Sequence, residues 1–370
     1  MLKKLKVKNF RNFEDWFILD LSTKKNYEFN QHLIHNGMIE HSILFGLNGS
    51  GKTNLGLAIV DLLSHLKIDD LTIPITLSEN YLNANSSSNI AEFSYTFQFD
   101  NDTVIYNYGK TERDSVVYEE LLINNEIVVS LDRRKEGLAH FTLEGTENLK
   151  SDLSKIKISA VKYLRSNSAL EENKTNAIFD KFLAFVDGMI FFRTLAKSEF
   201  YGTKLETKRL SSEIIKRNKV LDFETFLNTA GVDCVLEVTE SLSDEEKYIE
   251  VKFKNKSMEF SKVASTGTLS LGYFFYWWMR MEAKEFTFAY IDEFDAYYHF
   301  DLARIIVEML NKTECQTILT SHNITLMSND LMRPDCYFHL DKTGQKPLSD
   351  LISKELRKAH NLEKIYKSLI

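Results

Sequence analysis

The feature that most constrains this chain is a short apolar run followed by a glycine-rich loop and a helical pattern. The run Ile43–Phe45 is typical of a buried strand. The next residues, Gly46–Thr53, fit the pattern G-x-x-x-x-G-K-[ST] of the phosphate-binding P-loop. Apolar residues then recur at helical spacing between Leu55 and Leu66. Because a chance glycine-rich turn would not need the flanking strand and helix, the stretch predicts a nucleotide site.

The chemistry of such a loop explains its residues. Glycines let the backbone wrap closely around phosphates, and the following helix N-terminus directs N–H groups and a partial positive charge at them. We expect Lys52 to reach the β- and γ-phosphates and the Thr53 hydroxyl to bind Mg²⁺. The predicted cofactors are therefore ATP and Mg²⁺. The predicted ATP-binding residues of this stretch are Gly46, Asn48, Gly49, Ser50, Gly51, Lys52, Thr53 and Asn54.

Composition limits the class of protein. The 370 residues are 44% hydrophobic and carry a net charge of −7, so the chain can bury a large core in one large domain or two smaller ones. An acidic average gives no support for extensive nucleic-acid binding. The three cysteines are too far apart for a metal site and suit a reducing compartment. Without a signal peptide or an apolar run of the ~18 residues that span a membrane, we expect a soluble, cytoplasmic protein with no membrane partner.

A second apolar strand is predicted far downstream of the P-loop. Phe286–Ile291 precedes Asp292 and Glu293. In P-loop enzymes a carboxylate in this position holds Mg²⁺, so Asp292 is a predicted metal residue together with Thr53. An adjacent carboxylate suits a general base that orients the attacking water, and Glu293 is therefore a predicted catalytic residue.

Two further motifs lie near this strand. Gln316–Thr320 is the next predicted parallel strand, and it is followed by His322, a catalytic candidate that could sense a γ-phosphate at the ligand-binding edge of the sheet. Residues 264–268 precede a strongly apolar helix over Leu269–Met281 and include Ser265, Gly267 and Thr268. Alone, they indicate only a capped helix N-terminus, which would also suit a γ-phosphate.

The remaining elements complete the predicted fold. Alternating apolar residues predict a hairpin from Leu5 to Leu21, a meander from Phe93 to Val129 and a second hairpin over residues 235–253. The aromatic stripe of the meander is interpreted as core packing rather than a base-stacking platform. Ile156–Leu164 is predicted as a strand, and Glu171–Asn228 as helical. The predicted class is α/β with a mixed sheet, an antiparallel β lobe and a helical insertion.

A basic segment within this insertion allows two interpretations. Seven basic residues and three glutamates between residues 197 and 219 give it a charge of +4. We favour a solvated helix pair. The alternative is contact with the phosphate backbone of DNA or RNA.

The order of these motifs resembles the ABC-type ATPase heads of the RecF/SMC superfamily. Residues 7–13 are similar to that superfamily's opening strand, which implies that Arg11 and Asn12 touch the nucleotide. The resemblance places Ser265, Gly267 and Thr268 at the signature motif, Asp295-Ala296 at the D-loop and Asn167 at the Q-loop, where it would be a metal ligand. The implied P-loop NTPase hydrolyses ATP and dimerises, so that Ser265 of one subunit acts in trans on the γ-phosphate held by Lys52 of another.

Within that superfamily the chain resembles compact ATPases of bacterial anti-phage systems of the Septu, PARIS and retron-associated kind, an OLD-like head without its nuclease. Residues 356–366 look like the closing segment of that group, whereas about 170–250 match no motif. The insertion is too short for a long coiled coil, and we expect no room for a fused nuclease domain. The resemblance implies a homodimer or higher oligomer that gates a separate effector protein, such as a nuclease encoded nearby.

Three hypotheses about function therefore remain. The first is the effector-gating ATPase, and the second is a RecF-like head whose main output is DNA repair or DNA binding. The third is a nucleotide-gated scaffold that barely hydrolyses ATP. The predicted organisation is the first half of the head over 1–165, a helical insertion over 166–233 and the second half of the head over 234–370.

Overall fold

The structure is a computed structural model, and it describes residues 1–67, 80–194, 199–202, 209–240, 247–341, 344–353 and 355–369. Its strands are β1 (Leu2–Lys8), β2 (Phe17–Asp20), β3 (Ile34–His35), β4 (Met38–Ile39), β5 (His41–Phe45), β6 (Ala91–Phe99), β7 (Asp102–Glu112), β8 (Ser115–Ile123), β9 (Glu126–Asp132), β10 (Ala139–Phe141), β11 (Met189–Arg193), β12 (Glu199–Tyr201), β13 (Leu236–Glu240), β14 (Lys247–Lys252), β15 (Ser257–Glu259), β16 (Phe288–Asp292), β17 (Gln316–Thr320), β18 (Tyr337–Asp341) and β19 (Gly344–Pro347).

The α-helices span Lys52–Val60, Leu63–Leu66, Ala160–Asn167, Lys174–Asp187, Arg209–Lys216, Val220–Thr229, Phe260–Val263, Thr266–Glu282, Phe300–Leu310, Leu348–Leu351 and Leu362–Lys367. Short 3-10 helices span Gln31–Leu33, Ile324–Leu326 and Pro334–Cys336.

A seven-stranded mixed sheet carries the P-loop. Its order is β12-β11-β16-β17-β5-β18-β19, and the five inner strands run parallel. Every residue of β5, β16 and β17 is buried, as expected for parallel strands covered on both faces. The parallel direction places the ends of β5, β16 and β17 at one edge, so the sheet brings the P-loop, Asp292 and His322 to the same side.

The β lobe is a second, antiparallel sheet of seven strands in the order β10-β9-β8-β7-β6-β1-β2. The aromatic residues of β6 face inward, and Tyr95 and Phe97 are fully buried. Buried Gln316 joins the two sheets, because its side chain accepts from the Leu2 amide at 2.8 Å and donates to the carbonyls of Leu2 and Ile39 at 2.9 and 3.1 Å. The class predicted from sequence, a mixed α/β sheet with an antiparallel β lobe, is confirmed.

Two predicted elements are wrong. Ile156–Leu164 is not a strand, because Ser159 caps a helix over Ala160–Asn167 by accepting from the Lys162 amide at 3.2 Å. The buried Glu119 carboxylate fixes this helix start by accepting from the Ser159 hydroxyl and the Ala160 amide. The segment 171–228 is not entirely helical either. Met189–Arg193 forms β11 inside the main sheet, between β12 and β16.

The other predicted strands, both hairpins, the meander and the helices after the P-loop and after Ser265 are confirmed. The C-terminal segment also packs onto the P-loop strand. The Tyr366 ring lies 6.0 Å from that of Phe45, and its hydroxyl is 2.7 Å from Nδ1 of His339. The segment that resembles a family closing motif therefore stabilises the strand that leads into the P-loop.

Candidate functional site

The P-loop lies between β5 and the helix Lys52–Val60, and its geometry suits phosphate. Lys52 is 6% exposed, and its ammonium donates to the carbonyls of Gly46 and Leu47 at 2.8 and 3.2 Å. Gly49 and Gly51 have φ values of +75° and +103°, which favour glycine. The Ser50 hydroxyl is buried and has no hydrogen-bond partner among the described residues. A curled lysine and an unpaired buried hydroxyl are groups that a polyphosphate would satisfy.

Asp292 links the P-loop to the end of β16. This carboxylate is fully buried, and Oδ2 accepts from the Thr53 hydroxyl at 2.6 Å. Its other oxygen accepts from the Thr320 hydroxyl at 2.8 Å. The Tyr290 hydroxyl donates to the Lys52 carbonyl at 2.5 Å and so fixes the first turn of the P-loop helix to the same strand. Thr53 and Asp292, two of the three predicted metal residues, are therefore in direct contact.

The side-chain oxygens of Thr53 and Asp292 suit a Mg²⁺ ion that a bound nucleotide also coordinates. Mg²⁺ is commonly held by one or two protein oxygens together with substrate phosphates and water. Thr53 and Asp292 supply oxygens of this type. In the described ranges no group of three or more His, Cys, Asp or Glu residues could hold a metal by itself, so the fit requires the nucleotide as a further ligand.

Glu293 follows Asp292 in a conformation that is uncommon for its residue type. Its φ is +52°, in the left-handed region, and its amide donates to the Thr320 hydroxyl at 2.7 Å. Burial raises the pKa of the Glu293 carboxyl, and the negative charge of Asp292 raises it further. A half-buried carboxylate with a raised pKa suits proton abstraction near neutral pH.

His322 is exposed and follows the end of β17, whereas the preceding residue, Ser321, is held by hydrogen bonds. The Ser321 hydroxyl donates to Asp295 at 2.6 Å and accepts from the Asn323 amide at 2.8 Å. Partial burial lowers the pKa of His322, and the positive charge of Lys52 lowers it further. The charge effect of Lys52 on His322 agrees with the position of both residues at the carboxyl ends of neighbouring parallel strands.

Asn12 also reaches the P-loop, and Arg11 lies beside it in the sequence. The Asn54 side chain donates to Asn12 Oδ1 at 2.7 Å, and a Cβ at Gly51 would lie 3.1 Å from Asn12 Cγ. Arg11 has a φ of +50°, and its amide donates to the Tyr81 carbonyl at 3.1 Å. A glycine at position 51 therefore leaves room for the Asn12 side chain beside the loop.

The signature residues lie at the start of the helix Thr266–Glu282. Ser265 is exposed and caps the helix Thr266–Glu282 by accepting from the Thr268 amide at 3.2 Å. Within the described residues its side-chain hydrogen bonds go to Thr268 and not to the P-loop. The helix is attached to the segment after Glu293, because the Tyr298 hydroxyl is 3.1 Å from that of Ser270. A Cβ at Gly267 would lie 3.9 Å from the Tyr297 carbonyl.

Within the described residues, the side-chain hydrogen bond of Asn167 stays inside its own helix and does not go to the P-loop or to Asp292. Asn167 ends its helix in an exposed position, and its amide donates to the Tyr163 carbonyl of the same helix at 2.8 Å. The residue beside Asp292 is instead Arg193, at the end of β11, whose Nε lies 3.8 Å from Asp292 Oδ2. Sequence analysis missed both Arg193 and Thr320. The apolar run before Arg193 was a usable signal, whereas nothing distinguished Thr320 from other strand residues.

The described part of the basic segment is internally paired. Lys216 lies 3.3 Å from Glu213, Arg217 pairs with Glu285, and Lys219 lies 2.8 Å from Asp222. These pairs agree with the favoured interpretation of a solvated helical region. Lys197, Lys204 and Lys208 lie outside the described residues, as does the side chain of Arg209.

Comparison with known proteins identifies the family. The sequence profile of the family described as "AAA domain, putative AbiEii toxin, Type IV TA system" matches residues 42–328. Because the match covers more than half of the chain, this protein belongs to that family. The matched range includes the P-loop, Ser265, Asp292, Glu293 and His322. No curated protein sequence matches the chain significantly.

Solved structures similar to the chain include several SMC heads. The SMC head domain from Thermotoga maritima has a TM-score of 0.46 and 16% identity, covering 94% of this chain and 98% of that one. An Smc head bound to the C-winged helix domain of ScpA has a TM-score of 0.49 and 15% identity, with coverages of 93% and 96%. An Smc head with an extended coiled coil, bound to the C-terminal domain of ScpA from Pyrococcus furiosus, has a TM-score of 0.47 and 14% identity, with coverages of 100% and 98%.

None of the helices in the described ranges is long and apolar enough to cross a membrane.

Proposed function

We propose that this member of the AbiEii-related AAA family is a Mg²⁺-dependent ATPase that dimerises on ATP and gates a separate effector protein in anti-phage defence. The observation that carries the ATPase assignment is the 2.6 Å hydrogen bond between Thr53 and Asp292. It joins the P-loop to the end of a strand 239 residues later in the sequence. The arrangement combines a phosphate loop, a metal carboxylate and, at Glu293, a base.

The geometry supports a hydrolytic mechanism. Lys52 would exchange its two backbone carbonyl partners for the β- and γ-phosphates, and Thr53 and Asp292 would hold Mg²⁺. When bound, the metal supplies positive charge that stabilises the charge developing on the phosphate oxygens. Glu293 would accept a proton from the attacking water, and the Thr320 hydroxyl fixes the backbone of that base by accepting from its amide.

The test is Glu293→Gln, which keeps the shape of the side chain and removes its basicity. We expect ATP to bind normally, turnover to fall by about 10²–10⁴-fold and an ATP-bound dimer to accumulate. Turnover is measured as phosphate release and size by light scattering, with Glu14→Gln as an exposed control. Near-normal turnover would move the role of base to another group, with His322 next in line. Wild-type protein that binds ATP but scarcely hydrolyses it would favour the scaffold hypothesis.

Several surface features support association through the nucleotide face. Ser265 is exposed in one chain, as a residue that acts on a partner's nucleotide must be. Three large apolar side chains flank the site motifs and are also exposed: Leu47 at 74%, Tyr297 at 41% and Phe300 at 63%. Burying them against a second copy would remove apolar area from water and favour a dimer.

The effector role rests on the sequence resemblance and on the family. The family description names a toxin of a type IV toxin–antitoxin system, which agrees with control of a damaging activity. We place this activity in a separate protein of the cytoplasm. Co-expression with the product of the neighbouring reading frame tests the idea. We expect a co-purifying complex whose effector activity differs between wild type and Glu293→Gln, and no dependence on nucleotide state would count against gating.

The rival function is DNA binding of the RecF kind. The observation that favours it is the charge of +4 between residues 197 and 219, although Lys216, Arg217 and Lys219 already pair with carboxylates. Useful DNA affinity with a steep dependence on salt would support this rival. Absence of DNA or RNA binding by wild-type protein at low salt would eliminate it.

A further inference from the structure

Arg193 occupies a position in the site that no sequence motif assigned. It ends β11, where it is paired in register with Asp292 of β16. Its Nε lies 3.8 Å from Asp292 Oδ2, the same oxygen that accepts from the Thr53 hydroxyl. The next amide, that of Thr194, donates to the Asp292 carbonyl at 3.1 Å. The backbone therefore fixes a cationic side chain beside the P-loop threonine and the two acidic residues.

The Arg193 guanidinium lies near Asp292, but not all of its hydrogen-bond donors have an acceptor. A distance of 3.8 Å is too long for a hydrogen bond, and the buried Nε has no hydrogen-bond partner among the described residues. The side chain as a whole is 32% exposed, so part of it is accessible from solution. Because a buried donor without an acceptor costs free energy, Arg193 would gain from a ligand that offers oxygens in this position.

The electrostatics point to an anionic ligand. Burial lowers the pKa of the Arg11 guanidinium, and the positive charges of Arg113 and Arg193 lower it further. Arg11 lies in the connection between β1 and β2, and Arg193 lies at the end of β11, so the fold brings these two positive charges near each other, while the negative charge of Asp61 offsets part of their effect on Arg11. Phosphate oxygens accept from a guanidinium in a bidentate geometry, so a phosphate is an anion that suits Arg193.

We propose that Arg193 donates to the terminal phosphate of the bound nucleoside triphosphate within the same subunit and so distinguishes ATP from ADP. The inference rests on the proposed nucleotide site and adds a recognition residue to it. Asp292 is the counter-ion of Arg193 in this structure, and the γ-phosphate replaces it as the stronger acceptor.

The test compares the binding of two nucleotides by the variants Arg193→Ala and Arg193→Lys. Dissociation constants for a non-hydrolysable ATP analogue and for ADP are measured by calorimetry with Mg²⁺ present. For Arg193→Ala we expect about 10- to 100-fold weaker binding of the analogue, because a charge-assisted bidentate contact is lost. We expect ADP binding to change by less than about 2-fold, since ADP lacks the terminal phosphate. The affinity of Arg193→Lys for the ATP analogue should be intermediate, because lysine keeps the positive charge but cannot donate two parallel hydrogen bonds.

Arg165→Ala is the matched control, since Arg165 pairs with Asp187 on the helical insertion and should affect neither constant. Retained ADP affinity shows that Arg193→Ala is folded. If that variant binds both nucleotides as wild type does, or loses both equally, the inference is wrong while the proposed function stands. If wild-type protein binds neither nucleotide, the proposed function itself fails, and the inference fails with it.

Discussion

The close approach of the P-loop helix to the main sheet makes Gly56→Ala a sharp test of the structure. A Cβ at this position would lie 2.5 Å from Cδ1 and Cε1 of Tyr290 and 2.7 Å from Cε2 of Phe191. Both rings are fully buried. Since carbon atoms pack at about 3.5–4.0 Å, the Tyr290 ring would have to move by about 1 Å.

The expected magnitude follows from two opposing effects. Overpacking a well-packed core costs about 1–3 kcal/mol. Replacing glycine by alanine inside a helix returns up to about 1 kcal/mol. The free energy of unfolding should therefore fall by up to about 2 kcal/mol. Nucleotide binding should also weaken, because the displaced Tyr290 hydroxyl fixes the Lys52 carbonyl.

Gly272→Ala is the matched control, because Gly272 is also a buried helical glycine. Its Cβ would meet Phe260 at 3.3 Å and Leu210 at 3.6 Å, so the neighbours need to move only slightly. We expect stability within about 0.5 kcal/mol of wild type, or up to about 1 kcal/mol higher. Guanidinium unfolding followed by circular dichroism measures both variants. If Gly56→Ala were as stable as Gly272→Ala, the described packing of this helix on β11 and β16 would be wrong.

Two further predictions concern assembly and pH. Lys52→Ala and Ser265→Arg should each have almost no ATPase activity. Mixing the two variants should restore about a quarter of wild-type activity, because half of the dimers are mixed and each mixed dimer has one intact site of two. Mixed dimers without activity would indicate that the two sites are coupled or that the signature residues act in cis. Burial lowers the pKa of His41 from 6.5 to about 4, so the unfolded state binds more protons between these values and stability falls as pH decreases through this window. From pH 7 to pH 5, unfolding measurements should show wild type losing about 2 kcal/mol more than His41→Gln, and equal losses would contradict the burial of a neutral His41.

Several elements of this protein could be predicted from local sequence patterns alone. Pattern and spacing identified the P-loop, the strand that ends at Asp292 and the capped helix after Ser265, because each is specified by neighbouring residues. The alternation of the β lobe was equally clear, since its strands are antiparallel and hairpin-linked and need only local pairing. These elements sufficed to predict the α/β class and an ATP site.

Tertiary structure decided which distant residues meet. Met189–Arg193 is an apolar run whose periodicity does not separate a helix from a buried strand, and only its pairing with β16 makes it a strand. The composition of Ile156–Leu164 is typical of a strand. The buried Glu119 carboxylate, however, accepts hydrogen bonds from Ser159 and Ala160 and so fixes the start of a helix there. The pairing of β11 with β16 also places Arg193 beside Asp292. Local pattern cannot encode such a choice, because the energy that decides it comes from pairing and burial between segments far apart in sequence.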